Sequence, residues 1–241
     1  MPGLSPPEPA KARANVPPAE TVPSARGGDT RQRLIGEAER LFGEHGLHGV
    51  TLRQINKAAG QRNESALHYH FGSRHALIMA IMQHRSSGID ARRAVLIDHL
   101  IATDRTRDLH AIIKATLMPM VEILDRPEGI SFVRFMAQVI NDPDYDLSEI
   151  ARSSELSGLT KAMSLIEQNL AHLPQEISAF RCRSLIEQTV MSLAIWSRRE
   201  GKPAKPATCE LLGANLIDAL YGFLSAPVSP EAAALAGPSP L

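Results

Sequence analysis

The chain has 241 residues, 44% of them hydrophobic and 22% charged, and its 26 basic and 26 acidic side chains give a formal net charge of zero. That length and apolar content suffice for a packed core in one large or two small domains. No signal-peptide pattern and no apolar run of about eighteen residues occurs, so a soluble, cytoplasmic protein without membrane partners is expected. The two cysteines, Cys182 and Cys209, are too few for a disulfide framework or a metal cluster and read as reduced thiols on helices.

Residues 1–27 hold seven prolines and almost no apolar periodicity, which predicts a disordered arm. Lys11, Arg13 and Arg26 give that arm a means of following a minor groove. Asp29-Thr30-Arg31-Gln32 starts the first predicted helix, with Gln32 in the capping-box position and Leu34, Ile35, Ala38, Leu41 and Phe42 on one apolar face. His45-Gly46-Leu47-His48-Gly49 reads as the turn that follows. Its HxxH spacing would suit a metal on a helix, but the glycines break the helix such a site needs.

The stretch from Thr51 to Phe71, TLRQINKAAGQRNESALHYHF, organises the N-terminal domain. Leu52, Ile55, Ala58 and Ala59 fall at helical spacing, with Thr51 as N-cap and Gln54 as its capping-box partner. Gly60 sits where a C-cap glycine belongs, Gln61-Arg62-Asn63 is a polar break, and Asn63 is placed to cap the next helix. That helix buries Ala66, Leu67 and Phe71 and leaves Arg62, Asn63, Ser65, His68 and Tyr69 facing out. Two short helices about a Gly-containing turn, the second polar on its outer face, form a helix-turn-helix layout suited to the major groove of duplex DNA.

A net charge of zero at first argues against a nucleic-acid partner, but its distribution reverses that. From Arg26 to Arg85 nine Lys/Arg stand against five Asp/Glu, a balance of +4; from Ser86 onward fifteen stand against nineteen, a balance of −4. A basic head on an acidic body suits a chain that touches phosphates with one end only.

Gly72-Ser73 caps a fourth helix with Ala76, Leu77, Ile78, Ala80, Ile81 and Met82 apolar. Ser86-Ser87-Gly88 weakens it before it resumes at Ile89, Val95, Leu96 and Leu100, as a surface kink or as a pivot between head and body. Further helices are predicted at about 108–124, 127–140, 147–171, 174–199 and 208–224, with Pro127 and Pro174 at first-turn positions. After Ala226 a Pro/Ala-rich tail is expected to be mobile.

The runs T-L-R-Q-I-N-K-A-A-G and A-L-H-Y-H-F-G-S-R-H-A-L resemble the DNA-binding domain of the TetR family of one-component transcriptional regulators, over about sixty residues from near Asp29 to near Arg85. Three departures stand out. Gln61 replaces the usual Val, His68 replaces the usual first Tyr, and one extra residue lies between Gly60 and Phe71, which is expected to alter the turn or the start of the recognition helix. Chemistry and motif position together assign Arg62, Asn63, Ser65 and His68 to base edges, Arg62 toward guanine and Asn63 toward adenine. Thr51, Arg53, Tyr69, His70 and Arg74 are assigned to phosphates or to orienting the head, Arg74 standing where the family usually has a phosphate-contacting Lys, and Arg31 is placed near the DNA backbone. Plainer roles stand beside these: Arg53 solvated, Asn63 only a cap, His70 packed under the turn.

The expectation is therefore an all-α fold. Residues 1–27 form an arm, 28–87 an N-terminal three-helix helix-turn-helix DNA-binding domain, 88–225 a C-terminal helical ligand-binding and dimerisation body, and 226–241 a disordered tail. Met79, Met82, Ile113, Leu117, Met120, Phe132, Phe135, Met136 and Met163 read from periodicity alone as core. The resemblance implies an effector pocket in the body, which makes them the expected lining for a small hydrophobic effector, with Arg134, Gln138 and His110 as candidate polar anchors. Ile186, Val190, Leu193 and Trp196 on one late helix, and Leu216, Leu220 and Phe223 on the next, give broad apolar faces. The resemblance implies that these pair with a second subunit as a four-helix bundle, so that a homodimer reads a pseudo-palindromic operator.

The function so implied is repression by occupancy of duplex DNA and release by the effector, with no cofactor, metal or catalysis. A Gly-rich phosphate loop, a G-x-S-x-G elbow and a Cys/His metal pattern are all missing from the sequence. Activation, and a ligand-binding or interaction scaffold that has lost operator specificity, are the alternatives; salt-dependent binding to the chain's own upstream region separates the scaffold from a regulator.

Overall fold

A computed structural model describes residues 25–61, 63, 65–146, 149–151 and 155–236, and every element among them is helical. The head comprises α1 (Ala25–His45), α2 (Leu52–Ala58) and α3 (Ala66–Phe71), and α4 (Arg74–Ala102) runs from it into the body. The body adds α5 (Leu109–Glu122) with a 3-10 turn at Ile123–Asp125, α6 (Pro127–Ile140), α7 (Ser157–Asn169), α8 (Gln175–Glu200), α9 (Pro206–Ser225) and the short α10 (Pro230–Leu235). No helix among the described residues is long and apolar enough to cross a membrane.

On α1 the expected stripe of Leu34, Ile35, Ala38 and Phe42 is fully buried. Burial of each of the three larger side chains contributes about 1.5–3 kcal/mol relative to exposure. The helix starts at Ala25 rather than Asp29, which lies inside it and pairs with Arg33 one turn on at 3.2 Å. Residues 25–27 thus belong to a helix, while Lys11, Arg13 and the rest of the proposed arm lie outside the described residues. Phe42 stacks on Phe135 of α6 at 6.3 Å between ring centroids, and Phe135 meets Phe132 at 6.4 Å, so head and body share one core.

Ser86-Ser87-Gly88, expected to weaken the fourth helix, does not interrupt it: α4 is one continuous helix of 29 residues. Ser86 lies buried in a stripe with Met82, Ile89, Arg93, Ile97 and Leu100, and packing along that stripe outweighs the weak local propensity. Val95, expected on the apolar face, is exposed instead.

The helix predicted over 147–171 is divided, and α7 begins only at Ser157, after Glu155 at φ 52°. The reason is distant in sequence. Asp90 of α4 accepts the Gly158 and Leu159 N–H groups, both at 2.8 Å, and so caps the α7 N-terminus from another helix. A Cβ on residue 158 would sit 2.6 Å from the Asp90 carbonyl oxygen and 2.8 Å from the Ala94 nitrogen, so only glycine permits this approach.

Residues 230–235, expected to lack structure, form α10, where the Ser229 hydroxyl accepts the Ala232 N–H at 3.2 Å and Pro230 takes the first turn.

The late helices require a second correction. Val190 and Leu193 on α8, and Leu216 and Leu220 on α9, are buried within the subunit, while Ile186, Trp196 and Phe223 pack partly against the same core. Both helices are apolar around much of their circumference, and α6 and α5 cover the half that was expected to face a partner. The apolar residues left outside are Phe180 and Ile195 on α8 and Leu211 and Tyr221 on α9, with Leu211 73% exposed. Cys182 and Cys209 are buried and free, and burial pushes the Cys182 thiol up to about 11.

Candidate nucleic-acid interface and ligand cavity

The helix-turn-helix is built by local hydrogen bonds. Thr51 Oγ1 accepts the Gln54 N–H at 3.2 Å, and Gln54 Oε1 accepts the Thr51 N–H at 2.7 Å, which completes the expected capping box. Gly60 ends the unit at φ 68°, a left-handed conformation open to glycine, with its N–H donated to the Lys57 carbonyl at 3.1 Å. The Gln61 side chain folds back onto the Ala59 carbonyl at 3.2 Å.

Asn63 Oδ1 accepts the Ser65 N–H at 2.9 Å and the Asn63 carbonyl accepts the Ala66 N–H at 3.2 Å, so the turn extends to Ser65 and α3 starts at Ala66. One oxygen expected to be free for a base thus serves the backbone instead.

On α3, Leu67 points inward while Ser65, His68 and Tyr69 are exposed, Tyr69 at 85%. His70 is half-buried and meets Tyr69 edge-on at 5.2 Å. The Arg31 guanidinium lies over the Phe71 ring at 5.2 Å, which holds a cation from α1 beside the recognition helix. Thr51 and Arg53 are exposed at the start of α2, and Arg62 lies outside the described residues.

Arg74 departs from the phosphate-binding role. Its guanidinium donates to the carbonyls of Leu47 and Val50, the latter at 2.7 Å, and stacks over Phe42 at 5.7 Å. Its donors are engaged on the turn after α1, which they hold in place. That turn also meets the body, because His48 Nε2 lies 2.7 Å from Asp142 Oδ2, just past α6. Close by, His75 stacks on Tyr145 at 5.4 Å. Among the described residues no group of three or more His, Cys, Asp or Glu side chains could hold a metal ion.

The body encloses a cavity of about 70 Å³. Met82, Leu117, Met120 and Met136 line it as expected. Met79, Ile113, Phe132, Phe135 and Met163 do not; Ile113, Phe132 and Phe135 are close-packed core instead. Ile186 and Val190, expected on a dimer face, also form part of the wall.

The anticipated polar anchors are elsewhere. Arg134 donates to the Ser197 hydroxyl at 3.1 Å and to the Ser197 carbonyl, His110 lies 3.0 Å from Asp218, and Gln138 is absent from the wall. The polar groups at the cavity are Ser86, Arg93, Thr116 and Thr189.

Arg93 is 5% exposed, donates Nε to the Thr116 carbonyl at 3.0 Å and Nη1 to Asp90 Oδ1 at 2.8 Å. Burial lowers its pKa below the usual range, and the Asp90 charge and hydrogen bond oppose that shift. A sequence signal existed: Arg93 lies four residues after Ile89 and four before Ile97, within the apolar stripe of α4.

The family model for bacterial regulatory proteins of the tetR family matches residues 34–81, which run from α1 through the helix-turn-helix into α4. Over 53 residues the chain is 36% identical to the HTH-type transcriptional repressor AcnR of Corynebacterium efficiens, a match spanning 22% of this chain and 28% of that relative. The fold is similar to that of the fatty acid degradation regulator FadR of Bacillus halodurans, at a TM-score of 0.52 and 12% identity, covering 82% of this chain and 99% of that one. It is also similar to a protein of Shewanella sp. PV-4 assigned to the tetR family of transcription regulators, at a TM-score of 0.51 and 17% identity, covering 79% and 97% of the two chains. Residues 34–81 thus carry a helix-turn-helix domain of the tetR type, within a helical fold similar to those two proteins.

Proposed function

We propose that the chain is a ligand-responsive transcriptional regulator that binds a pseudo-palindromic operator as a homodimer and leaves it when a small apolar effector enters the body. The observation that carries this reading is the outer face of α3, where Ser65, His68 and Tyr69 stand exposed beside an α2 held by a complete capping box. Ser65, His68 and Arg62 then serve base edges, Asn63 keeps only its Nδ2 donor for that role, and Arg31, Thr51, Arg53, Tyr69 and His70 serve phosphates. Repression, rather than activation, follows the relative named as a transcriptional repressor.

The route from cavity to head is short. Met136 of α6 lines the cavity, its neighbour Phe135 stacks on Phe42 of α1, and Asp142 beyond the same helix holds His48. A ligand that displaces α6 therefore acts on the head from two points. Its differential affinity for the two head arrangements sets the size of the response.

The test is fluorescence anisotropy of the full chain on a duplex from its own upstream region across a salt series. Affinity should fall linearly with salt on logarithmic axes. Tyr69→Phe should weaken all duplexes alike, whereas Ser65→Ala should change the preference among operator variants; the reverse pattern exchanges the two roles. Failure to retain any duplex at low salt rejects DNA binding altogether.

For the dimer, the exposed Phe180, Ile195, Leu211 and Tyr221 replace the buried residues as the expected contact. Leu211→Glu should yield a monomer by light scattering and lower operator affinity about 100-fold or more, because two linked heads bind far better than one. A monomeric wild-type chain would remove this part of the proposal.

A further inference from the structure

We propose that the cavity receives a small apolar molecule bearing one carboxylate, and that Arg93 binds that carboxylate through Nη2. This deepens the reading of the body as an effector domain and rests on it. A guanidinium has five N–H donors. Nε and one Nη1 hydrogen of Arg93 are used by Thr116 and Asp90, and Nη2 makes no hydrogen bond among the described residues. Nη2 is not among the fully enclosed polar atoms without a partner, so it keeps an accessible edge where a carboxylate can complete the hydrogen bonding of an otherwise buried cation.

Asp90 does not fill that need. Its two oxygens also accept the Gly158 and Leu159 N–H groups, so its charge is shared with the positive end of α7. One carboxylate thus serves both a full cation and a helix N-terminus, and the locality keeps a positive balance. The lowered pKa of Arg93 agrees, since burial outweighs the compensation Asp90 supplies.

The rest of the wall narrows the ligand class. The hydroxyls of Thr116 and Thr189 donate to the carbonyls of Ile112 and Leu185, both at 2.7 Å, so their protons are occupied. The Ser86 hydroxyl remains as a neutral donor, and Arg93 supplies the charge on a lining whose apolar part includes Met82, Leu117, Met120 and Met136. A cationic ligand would face a guanidinium with its counter-ion already engaged. A planar carboxylate matches guanidinium geometry and supplies the missing charge.

The cavity of about 70 Å³ has room for only a few heavy atoms as it stands. Ligand pockets typically run to about 300 Å³ or more, so a longer tail has to displace side chains. The three methionines are unbranched and flexible enough to do so.

Isothermal titration of the full chain with octanoate, octan-1-ol and methyl octanoate tests the inference. Octanoate should bind the wild type about 10- to 100-fold more tightly than either neutral probe, the range expected for a charged hydrogen bond in place of a neutral contact. The double variant Asp90→Asn, Arg93→Gln keeps a neutral hydrogen-bonding pair in place and should equalise the three probes, with far-ultraviolet circular dichroism checking that it folds. Met120→Trp fills the cavity and should abolish binding of all three.

Equal wild-type affinities would overturn the carboxylate while leaving an apolar effector site intact. A preference that survives in the folded double variant would overturn Arg93 as its receptor. Should the double variant not fold, the wild-type ranking and its loss in Met120→Trp decide the matter. Absence of binding by all three probes in the wild type would overturn the inference, and retained DNA binding would confine that failure to the effector site.

Discussion

Asp90→Ala is expected to destabilise the protein by about 3–5 kcal/mol, the scale for removing one partner of a buried ion pair. The residue is 5% exposed, and its carboxylate holds three donors at once: Arg93 Nη1, Gly158 N–H and Leu159 N–H, each at 2.8 Å. Alanine leaves a buried guanidinium without its counter-ion and uncaps α7 in the same step. A domain's total stability is only about 5–15 kcal/mol, so a large share of it is at stake. Urea unfolding of wild type, Asp90→Asn and Asp90→Ala should rank them in that order of stability, because asparagine keeps an oxygen for the helix N-terminus but not the charge. A cost for Asp90→Ala below about 1 kcal/mol would mean that the pair and the cap contribute no more than an exposed ion pair does.

The second large effect is a dependence on pH. Glu39 of α1 is buried and its pKa is raised from 4.5 to about 7. Burial is the leading cause, and Glu128 adds to it; the Arg85 hydrogen bonds at 2.6 and 3.2 Å and the Arg85 charge pull the other way. Below pH 4.5 the carboxyl is protonated in folded and unfolded chains alike, and its contribution to stability is fully present. Between 4.5 and about 7 the unfolded chain releases the proton first, so stability falls as pH rises, and the loss is complete once the folded carboxyl also ionises. At about 1.4 kcal/mol per pH unit the whole loss comes to about 3 kcal/mol. Urea midpoints at pH 5 and pH 8 should show it in the wild type, and Glu39→Gln should flatten the difference. A wild-type midpoint that rises over this interval while Glu39→Gln stays flat would show that pairing with Arg85 outweighs burial.

Much of the head was legible from the residues alone because its signals are short-ranged. The Thr51–Gln54 capping box, the left-handed Gly60, the Ser73 cap on α4 and the buried stripe of α1 each depend on neighbours within about two helical turns. The cavity was only half legible: Met82, Leu117, Met120 and Met136 line it, but periodicity cannot separate lining from close-packed core, and Ile113, Phe132 and Phe135 fell on the other side of that division.

What the amino-acid order determined by itself was the helical class, the helix-turn-helix with the capping box of α2, and the basic head on an acidic body. These follow from backbone hydrogen bonding and from spacing along a single helix. Tertiary structure alone decided where α7 begins, which Asp90 sets from 68 residues away. It also decided that Arg74 holds a turn instead of reaching outward, that Arg93 meets the cavity, and that Val190, Leu193, Leu216 and Leu220 face inward. A helix apolar on several sides carries no mark of which side its neighbours will cover, and a buried charge acquires its partner only when distant elements pack.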